Sequence, residues 1–408
     1  MRFGALRARW YRGYLTGGSL LMAGDNSEHA ITYWVMWQAF HSPLLAGFAV
    51  VSHWLPHLLF SVFFGSLADR FDCRRLIQIS LGLFAAASVC WGVLFATDSL
   101  QPWHCVVLLA VHGFASALWH PASGVMIFDI VGEKDVASGV RLMATGLSVG
   151  QLVGPAVGAA LLFTVGPALG MFLNVLFYLP FAIYLFVLPL DGHARRHETP
   201  PRIGLRDVAR VLRELPRFPT ILVVIVLQGA VALLIGTALM PLFPEFGELL
   251  GQDASGVGYG VLIMAMSAGA VIGGIALESV GTFRPSTRLA ILSTLIFAVA
   301  VGVFAISRSY PLSVAMLVIA GVATIASGSI SQTVVQLDAP PERRGRFLGA
   351  FGMTSMGLRV GSGVLFGVLG AAIGVPQAVL LDAGILAVVA LVLLAVVAAY
   401  VRRQPRST

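Results

Sequence analysis

Long apolar runs alternate with short polar stretches along the whole chain, and this pattern divides it into twelve segments. A bilayer-spanning helix needs about 20 apolar residues, which each run approaches or exceeds. Runs of this length must be helical in a bilayer, because the hydrocarbon core offers no water to backbone N–H and C=O groups. The pattern therefore predicts an all-α polytopic membrane protein with helices near residues 14–39, 44–66, 76–97, 103–128, 138–164, 168–190, 218–243, 256–279, 288–306, 311–335, 347–371 and 376–400.

The longest polar stretch follows the sixth segment and predicts two halves. We expect an N-terminal six-helix bundle over residues 1–190, a cytoplasmic linker over 191–216 and a C-terminal six-helix bundle over 217–408. The linker is rich in proline and arginine, and its residues 205–215 form either a short amphipathic helix or a disordered segment.

The basic residues predict the orientation of the chain. Of the 26 lysines and arginines, only Arg308 and Arg359 fall outside the segments predicted to face the cytoplasm. Positively charged loops stay inside, so both termini are expected on the cytoplasmic side of the inner cell membrane. The same loops account for the net charge of +7 without nucleic acid as a partner.

The composition excludes several classes of protein. The chain is 58% hydrophobic and 11% charged, whereas soluble domains carry roughly 25% charged residues. With three cysteines it is not a disulfide-built scaffold. Its single lysine, Lys134, lies in no Gly-Lys-Ser/Thr phosphate loop. Since the sequence also lacks a serine nucleophile elbow, we expect no enzyme and no cofactor.

An internal repeat supports the two halves. A shift of 209 residues aligns Asp129 with Asp338 and Gly154 with Gly363, and it aligns the loop after the second helix with that after the eighth. Parallel six-helix repeats are a recurring transporter architecture with the substrate path between the halves.

The stretch from Gly65 to Arg75, Gly-Ser-Leu-Ala-Asp-Arg-Phe-Asp-Cys-Arg-Arg, resembles the loop signature of the major facilitator superfamily. The chain departs from the signature at Asp72, where the family usually has glycine. The resemblance implies that Gly65 permits close helix packing and that this loop is a cytoplasmic latch, with the basic residues pairing with Asp129. The residues assigned to this latch are Gly65, Asp69, Arg70, Arg74, Arg75 and Asp129, and Glu278 with Arg284 would form a weaker second latch. The alternative is that the basic residues only hold the loops inside.

The fifth segment contains Gly150, Gly154, Pro155 and Gly158. Glycine at every fourth position gives a smooth face for close helix packing. The motif resembles the antiporter signature of efflux-type family members, except that Ala159 replaces its last glycine. The resemblance implies that the motif seals and bends the contact between helices 5 and 8, where Gly269 and Gly273 could form the facing surface. Generic helix packing is the alternative.

Acidic residues near the middle of the first segment are the leading site candidates. Asp25, Glu28 and His29 share one helical face. A charge in the bilayer centre costs roughly 2.5–3.5 kcal/mol on insertion scales, so this face should line a water-accessible central cavity. Asp25, followed by Glu28, is predicted to bind protons or substrate. Alternatively, these groups form a fixed pair with Arg359 or His29, or Asp25 lies among lipid headgroups.

Three further groups leave more than one interpretation open. Arg359 could bind an anionic substrate, or it could pair with Asp382 or Asp25. His53 and His57 are four residues apart, and His112 and His120 are eight apart in the fourth segment. Such pairs can bind metal, but without cysteines or acidic clusters beside them in the sequence we expect polar cavity lining and no metal site.

Together these features predict a secondary active transporter of the efflux-type branch of the superfamily, resembling drug and siderophore exporters. We expect a proton-coupled antiporter that exports a small amphipathic molecule by alternating access and functions as a monomer in the lipid bilayer. A proton-coupled importer of a small metabolite and a non-transporting membrane receptor are the alternatives.

Overall fold

The structure is a computed structural model that describes residues 4–193, 213–251, 257–279, 285–340 and 344–403. The described residues form helices joined by short loops, with no β-strand among them, as the apolar pattern predicted. The possible amphipathic helix at residues 205–215 lies largely outside these ranges.

The first half of the chain begins with a short 3₁₀ turn and continues in five long helices. These are α1 (Tyr11–Phe40), α2 (Pro43–Arg70), α3 (Cys73–Ala96), α4 (Pro102–Val131) and α5 (Val136–Val187).

The described residues of the second half form eight α-helices, several of them short. These are α6 (Pro219–Leu234), α7 (Phe243–Leu249), α8 (Val257–Ser279), α9 (Thr287–Ile306), α10 (Tyr310–Asp338), α11 (Arg344–Gly357), α12 (Arg359–Ile373) and α13 (Val375–Arg403).

Nine helical stretches of the described chain are long and apolar enough to cross a membrane. One of them, Ser138–Val187, has 50 residues, which is about 75 Å of helix and more than twice the hydrocarbon thickness. It changes direction at Gly166, whose φ of 81° is outside the helical region, so the fifth and sixth predicted segments meet there. α1, with its central acids, and α6, with 16 residues, are not among the nine. The full count of twelve crossings stays a prediction.

The chain forms two compact units, one comprising Met1–Pro200 with Gln252–Gly260 and the other Pro201–Gly251 with Val261–Thr408. The first unit therefore includes the first residues of α8. There the Tyr259 hydroxyl donates to the carbonyl oxygen of Ala30 at 2.8 Å, and its ring stacks on Trp34.

Each unit keeps an apolar core and exposes further large apolar side chains. Tyr14 packs edge-on against Phe181 in the first core, and Phe218 packs against Phe347 in the second. Outside these cores, Phe186 is 77% exposed and Ile275 is 62% exposed. An apolar exterior of this kind suits a lipid environment, because lipid tails are as apolar as these side chains.

Candidate functional site

The polar face predicted on α1 exists and is buried. Asp25 and His29 are each 7% exposed and Glu28 is 2% exposed. Their spacing of three and four residues places the side chains on one side of the helix. Asn26 donates to the second carboxylate oxygen of Asp25 at 3.2 Å, and His29 Nδ1 lies 3.9 Å from that oxygen.

His112 of α4 connects the two carboxylates. Its Nε2 lies 2.6 Å from Asp25 Oδ1, and its Nδ1 lies 2.8 Å from Glu28 Oε1. The imidazole is itself only 2% exposed. One ring thus joins two acids that stand one turn apart on α1, and we call Asp25, Glu28 and His112 the triad.

The triad can hold different numbers of protons. With both carboxylates ionised, each ring nitrogen of His112 must donate a proton, because a carboxylate only accepts. The imidazole then carries a positive charge and the three groups together carry one negative charge. One additional proton makes the triad neutral.

A second layer of polar groups holds Glu28 in place. Ser88 of α3 donates its hydroxyl to Glu28 Oε2. Asn174 of α5 donates to the Ser88 oxygen and to the Tyr178 hydroxyl, both at 3.2 Å. The cluster therefore ties α1 to α3, α4 and the second arm of α5.

Two further histidines stand beside the triad. The ring centroids of His29 and His112 are 4.7 Å apart, and His53 of α2 lies 5.1 Å from His29 and 5.8 Å from His112. One donor atom each from Asp25, His29, His53 and His112 lies within 4.8 Å of the others, so these four residues could hold a metal ion. The structure thus brings His53 to His112, whereas the sequence had paired each with a histidine of its own helix.

The described partners of the acids all belong to the first unit. His112 bonds to both carboxylates, so they are satisfied inside that unit. The water-accessible chamber that they were expected to line stays a prediction.

Arg359 is the first residue of α12. Its Nε donates to the carbonyl oxygen of Ser355 at 3.1 Å, one turn earlier along the chain. Asp382 on α13 is 1% exposed, and its Oδ2 has no hydrogen-bond partner among the described residues. The alternatives for Arg359, which are an anionic substrate or a pairing with Asp382 or Asp25, stay predictions.

The second unit has an uncharged polar cluster of its own. Gln228 of α6 donates from Nε2 to Ser327 Oγ at 2.7 Å and to Ser331 Oγ at 3.2 Å. The Thr294 hydroxyl of α9 lies 2.6 Å from Ser327 Oγ. These contacts join α6, α9 and α10 without an ionisable group.

The loop after α2 makes a different ion pair from the one expected. Arg74 pairs with Asp72 at 2.8 Å and donates to the carbonyl oxygen of Leu188 at 2.6 Å, while Arg75 lies 3.9 Å from Asp72. Asp129 accepts the backbone N–H of Gly192 at 3.0 Å. The family's usual glycine has no side chain for such a pair, so the ion pair of Arg74 depends on the departure at Asp72.

Asp72 also caps α3, because its side chain accepts the backbone N–H of Arg74. Partial burial would raise the pKa of Asp72, but the hydrogen bonds and charge of Arg74 outweigh burial and lower this pKa below its ordinary value.

The surroundings of the other residues assigned to the latch are described next. A Cβ placed on Gly65 would meet no atom within 4 Å in the described part of the chain, and the expected close helix contact at Gly65 stays a prediction. Asp69 and Arg70 are exposed at the end of α2. The side chain of Glu278, and Arg284 altogether, lie outside the described residues.

The glycines of the fifth segment pack against α1 instead of helix 8. A Cβ on Gly154 would lie 2.6 Å from the carbonyl oxygen of Ala23, and the Gly150 and Gly158 positions are equally tight against Ser19 and Ser27. Gly269 and Gly273 pack against Val318 and Val322 of α10. The contact of α5 with α8 is made instead where Gly260 meets Ala159 and Phe163.

Sequence reasoning found the acids of α1 but missed what holds them. It treated His112 as polar cavity lining and did not single out Ser88. The available signal was a polar side chain near the middle of an apolar run in three different helices, since such residues are costly in a membrane and face a partner.

Comparison with known proteins gives consistent matches. The family model of the Major Facilitator Superfamily matches residues 15–362. The multidrug efflux pump Tap of Mycobacterium tuberculosis is 26% identical over 357 residues, which cover 83% of this chain and 81% of Tap. The enterobactin exporter EntS of Shigella boydii is 26% identical over 300 residues, which cover 70% of this chain and 67% of EntS.

Solved structures of similar fold include transporters with other substrates. The nucleoside transporter NupG superimposes with a TM-score of 0.75 at 14% identity, covering 95% of this chain and 98% of NupG. A D-xylose–proton symporter superimposes with a TM-score of 0.67 at 17% identity, covering 96% of this chain and 97% of the symporter. At such identities the likeness shows the fold alone.

Proposed function

The chain belongs to the Major Facilitator Superfamily, a family of transporters and not of enzymes, and from this premise we propose that it is a proton-coupled exporter. Its cargo is a small amphipathic molecule such as a drug or a siderophore. Two curated relatives, Tap and EntS, are named as an efflux pump and an exporter, and they support this direction of transport.

The observation that carries the proposal is the sharing of His112 by Asp25 and Glu28. A change in the number of protons on the triad changes which atoms donate and which accept, so the hydrogen bonds between α1 and α4 must rearrange. Since the antiporter-like glycines hold α1 tightly against α5, movement of α1 would be transmitted to α5. Proton uptake and release are in this way linked to alternating access.

The sequence predicts the location, the orientation and the oligomeric state of the protein. We place the protein as a monomer in the inner cell membrane with both termini in the cytoplasm, where the basic loops lie. The loop from Gly65 to Arg75 acts there as the latch of the cytoplasmic side. Asp69→Asn should then slow turnover without lowering expression, and unchanged turnover would remove the latch role.

Transport into inside-out membrane vesicles tests the proposal, with ethidium as the amphipathic probe. An exporter accumulates ethidium when the vesicle lumen is acidic, because protons leaving the lumen drive the probe in. We expect Asp25→Asn to abolish this accumulation. The control is Asp98→Asn, which changes an exposed acid in the loop after α3 and should accumulate ethidium like the wild type.

The outcomes separate the proposal from its alternatives. Ethidium accumulation by a folded Asp25→Asn variant at the wild-type rate would overturn the role of the triad in coupling. Accumulation only under the reversed proton gradient would identify an importer.

A further inference from the structure

We infer that Asp25, His29, His53 and His112 form a binding site for one divalent transition-metal ion of the Zn²⁺ class. The four side chains come from α1, α2 and α4 of the first unit. One donor atom of each lies within 4.8 Å of all the others. A tetrahedral ion separates its donors by about 3.4 Å. Donor pairs as far apart as 4.8 Å would need to close by about 1.4 Å, whereas His112 Nε2 and Asp25 Oδ1, 2.6 Å apart, would need to open by about 0.8 Å.

The distances between the three ring centroids agree with such an ion. Three imidazoles on one tetrahedral ion have centroids about 5 Å apart, given Zn–N bonds of about 2.1 Å. The three centroid distances here are 4.7, 5.1 and 5.8 Å. The three rings are therefore spaced about as binding to one common ion requires.

The surroundings of His112 match those of a metal-binding histidine. Ligating histidines usually donate their other ring N–H to a carboxylate, which fixes the tautomer and the ring orientation. Glu28 stands in this place, 2.8 Å from His112 Nδ1, and leaves Nε2 directed at Asp25. Ser88 and Asn174 in turn hold Glu28.

The donor atoms of the four residues indicate the class of ion. Three imidazole nitrogens with one carboxylate oxygen suit Zn²⁺, Co²⁺ or Ni²⁺, and not the all-oxygen preference of Ca²⁺ or Mg²⁺.

A row of imidazoles extends from the site. The ring centroid of His57 lies 6.1 Å from that of His53 and 5.9 Å from that of His120. His120 is exposed, His57 and His53 are half-buried, and His29 and His112 are buried. This row of imidazoles runs from the outside of the first unit to the proposed ion.

Equilibrium binding to the purified, metal-free full-length protein in detergent tests the site, with Co²⁺ and Zn²⁺ as probes. We expect one equivalent of Co²⁺ with the visible spectrum of tetrahedral coordination, displaced by Zn²⁺. Glu28→Gln should weaken binding by about 10–100-fold, and His29→Gln and His53→Gln by at least as much. His41→Gln, which removes an exposed histidine outside the cluster, should bind like the wild type.

The result that overturns the site is the absence of saturable binding to the wild type, or wild-type affinity in folded His29→Gln and His53→Gln variants, which would indicate surface ions only. Monodispersity and thermal unfolding without metal report whether each variant is folded. If the variants do not fold, the wild-type stoichiometry and Co²⁺ spectrum decide, and octahedral Co²⁺ counts against the site. Because binding requires no transport, failure of the export proposal leaves this measurement unaffected.

Discussion

The two units solve the same problem, the burial of polar groups among apolar helices, with different chemistry. In the first unit Asp25 and Glu28 share the imidazole of His112. In the second unit the amide of Gln228 binds two serine hydroxyls, one of them that of Ser327. The first cluster can change its charge, whereas the second is held by neutral hydrogen bonds. On the proposed function we therefore expect the first unit to be the switching half and the cluster of Gln228 to be a static contact of the second.

The largest effect is expected from His112→Ala, which leaves two buried carboxylates without their common partner. Removing one partner of a buried ion pair costs about 3–5 kcal/mol. Thermal unfolding in detergent should show this loss, and ethidium accumulation should stop. A loss below about 1 kcal/mol would mean that the triad does not hold the first unit together.

Gln228→Ala probes the neutral cluster and should cost less. The hydroxyls of Ser327 and Ser331 lose their donor, which is worth about 1–3 kcal/mol for buried groups. Ethidium accumulation should persist, because no ionisable group is lost. If this variant is folded yet inactive, the second unit is not a static half and the comparison fails.

Corresponding positions in the two halves give a matched pair. Asn174 and Asp382 each stand eight residues after a glycine of positive φ, Gly166 and Gly374. Asn174→Leu breaks the bonds to Ser88 and Tyr178 and should cost about 1–3 kcal/mol. Asp382→Leu removes a carboxylate oxygen without a partner among the described residues, so stability should stay equal or rise by about 1 kcal/mol. Equal losses in thermal unfolding would contradict this difference.

The smallest effect concerns the helix caps. Asp72 caps α3 with a charged group, while Ser286 caps α9 with a neutral hydroxyl. Asp72→Gly should cost about 0.5–1 kcal/mol at neutral pH. Since Arg74 lowers the folded-state pKa of Asp72, this stabilisation is lost as the pH falls through that pKa.

The measurement is the difference in unfolding free energy between wild type and Asp72→Gly, taken at neutral pH and in acid. Ser286→Gly serves as the comparison, since its hydroxyl does not titrate in this range. A difference for Asp72→Gly that persists unchanged in acid would show that the ion pair with Arg74 contributes nothing.

Most of the fold could be predicted from the sequence, and part of the site. Helix positions follow from where apolar runs begin and end, because lipid leaves helix as the available structure for them. The importance of Asp25 and Glu28 follows from their cost in an apolar helix. The expected partners of Gly154 and Gly269 were wrong, since small residues predict close packing without indicating the partner.

The sequence by itself determined that this chain is a helical membrane protein of duplicated design with acids in its first helix, because hydropathy and charge act locally along the chain. Only the tertiary structure decided that His112, 87 residues from Asp25, joins the two acids, and that the glycines of α5 pack on the helix that carries them. Such contacts depend on which helix faces meet and at what depth, and periodicity within one helix contains no information about its neighbour.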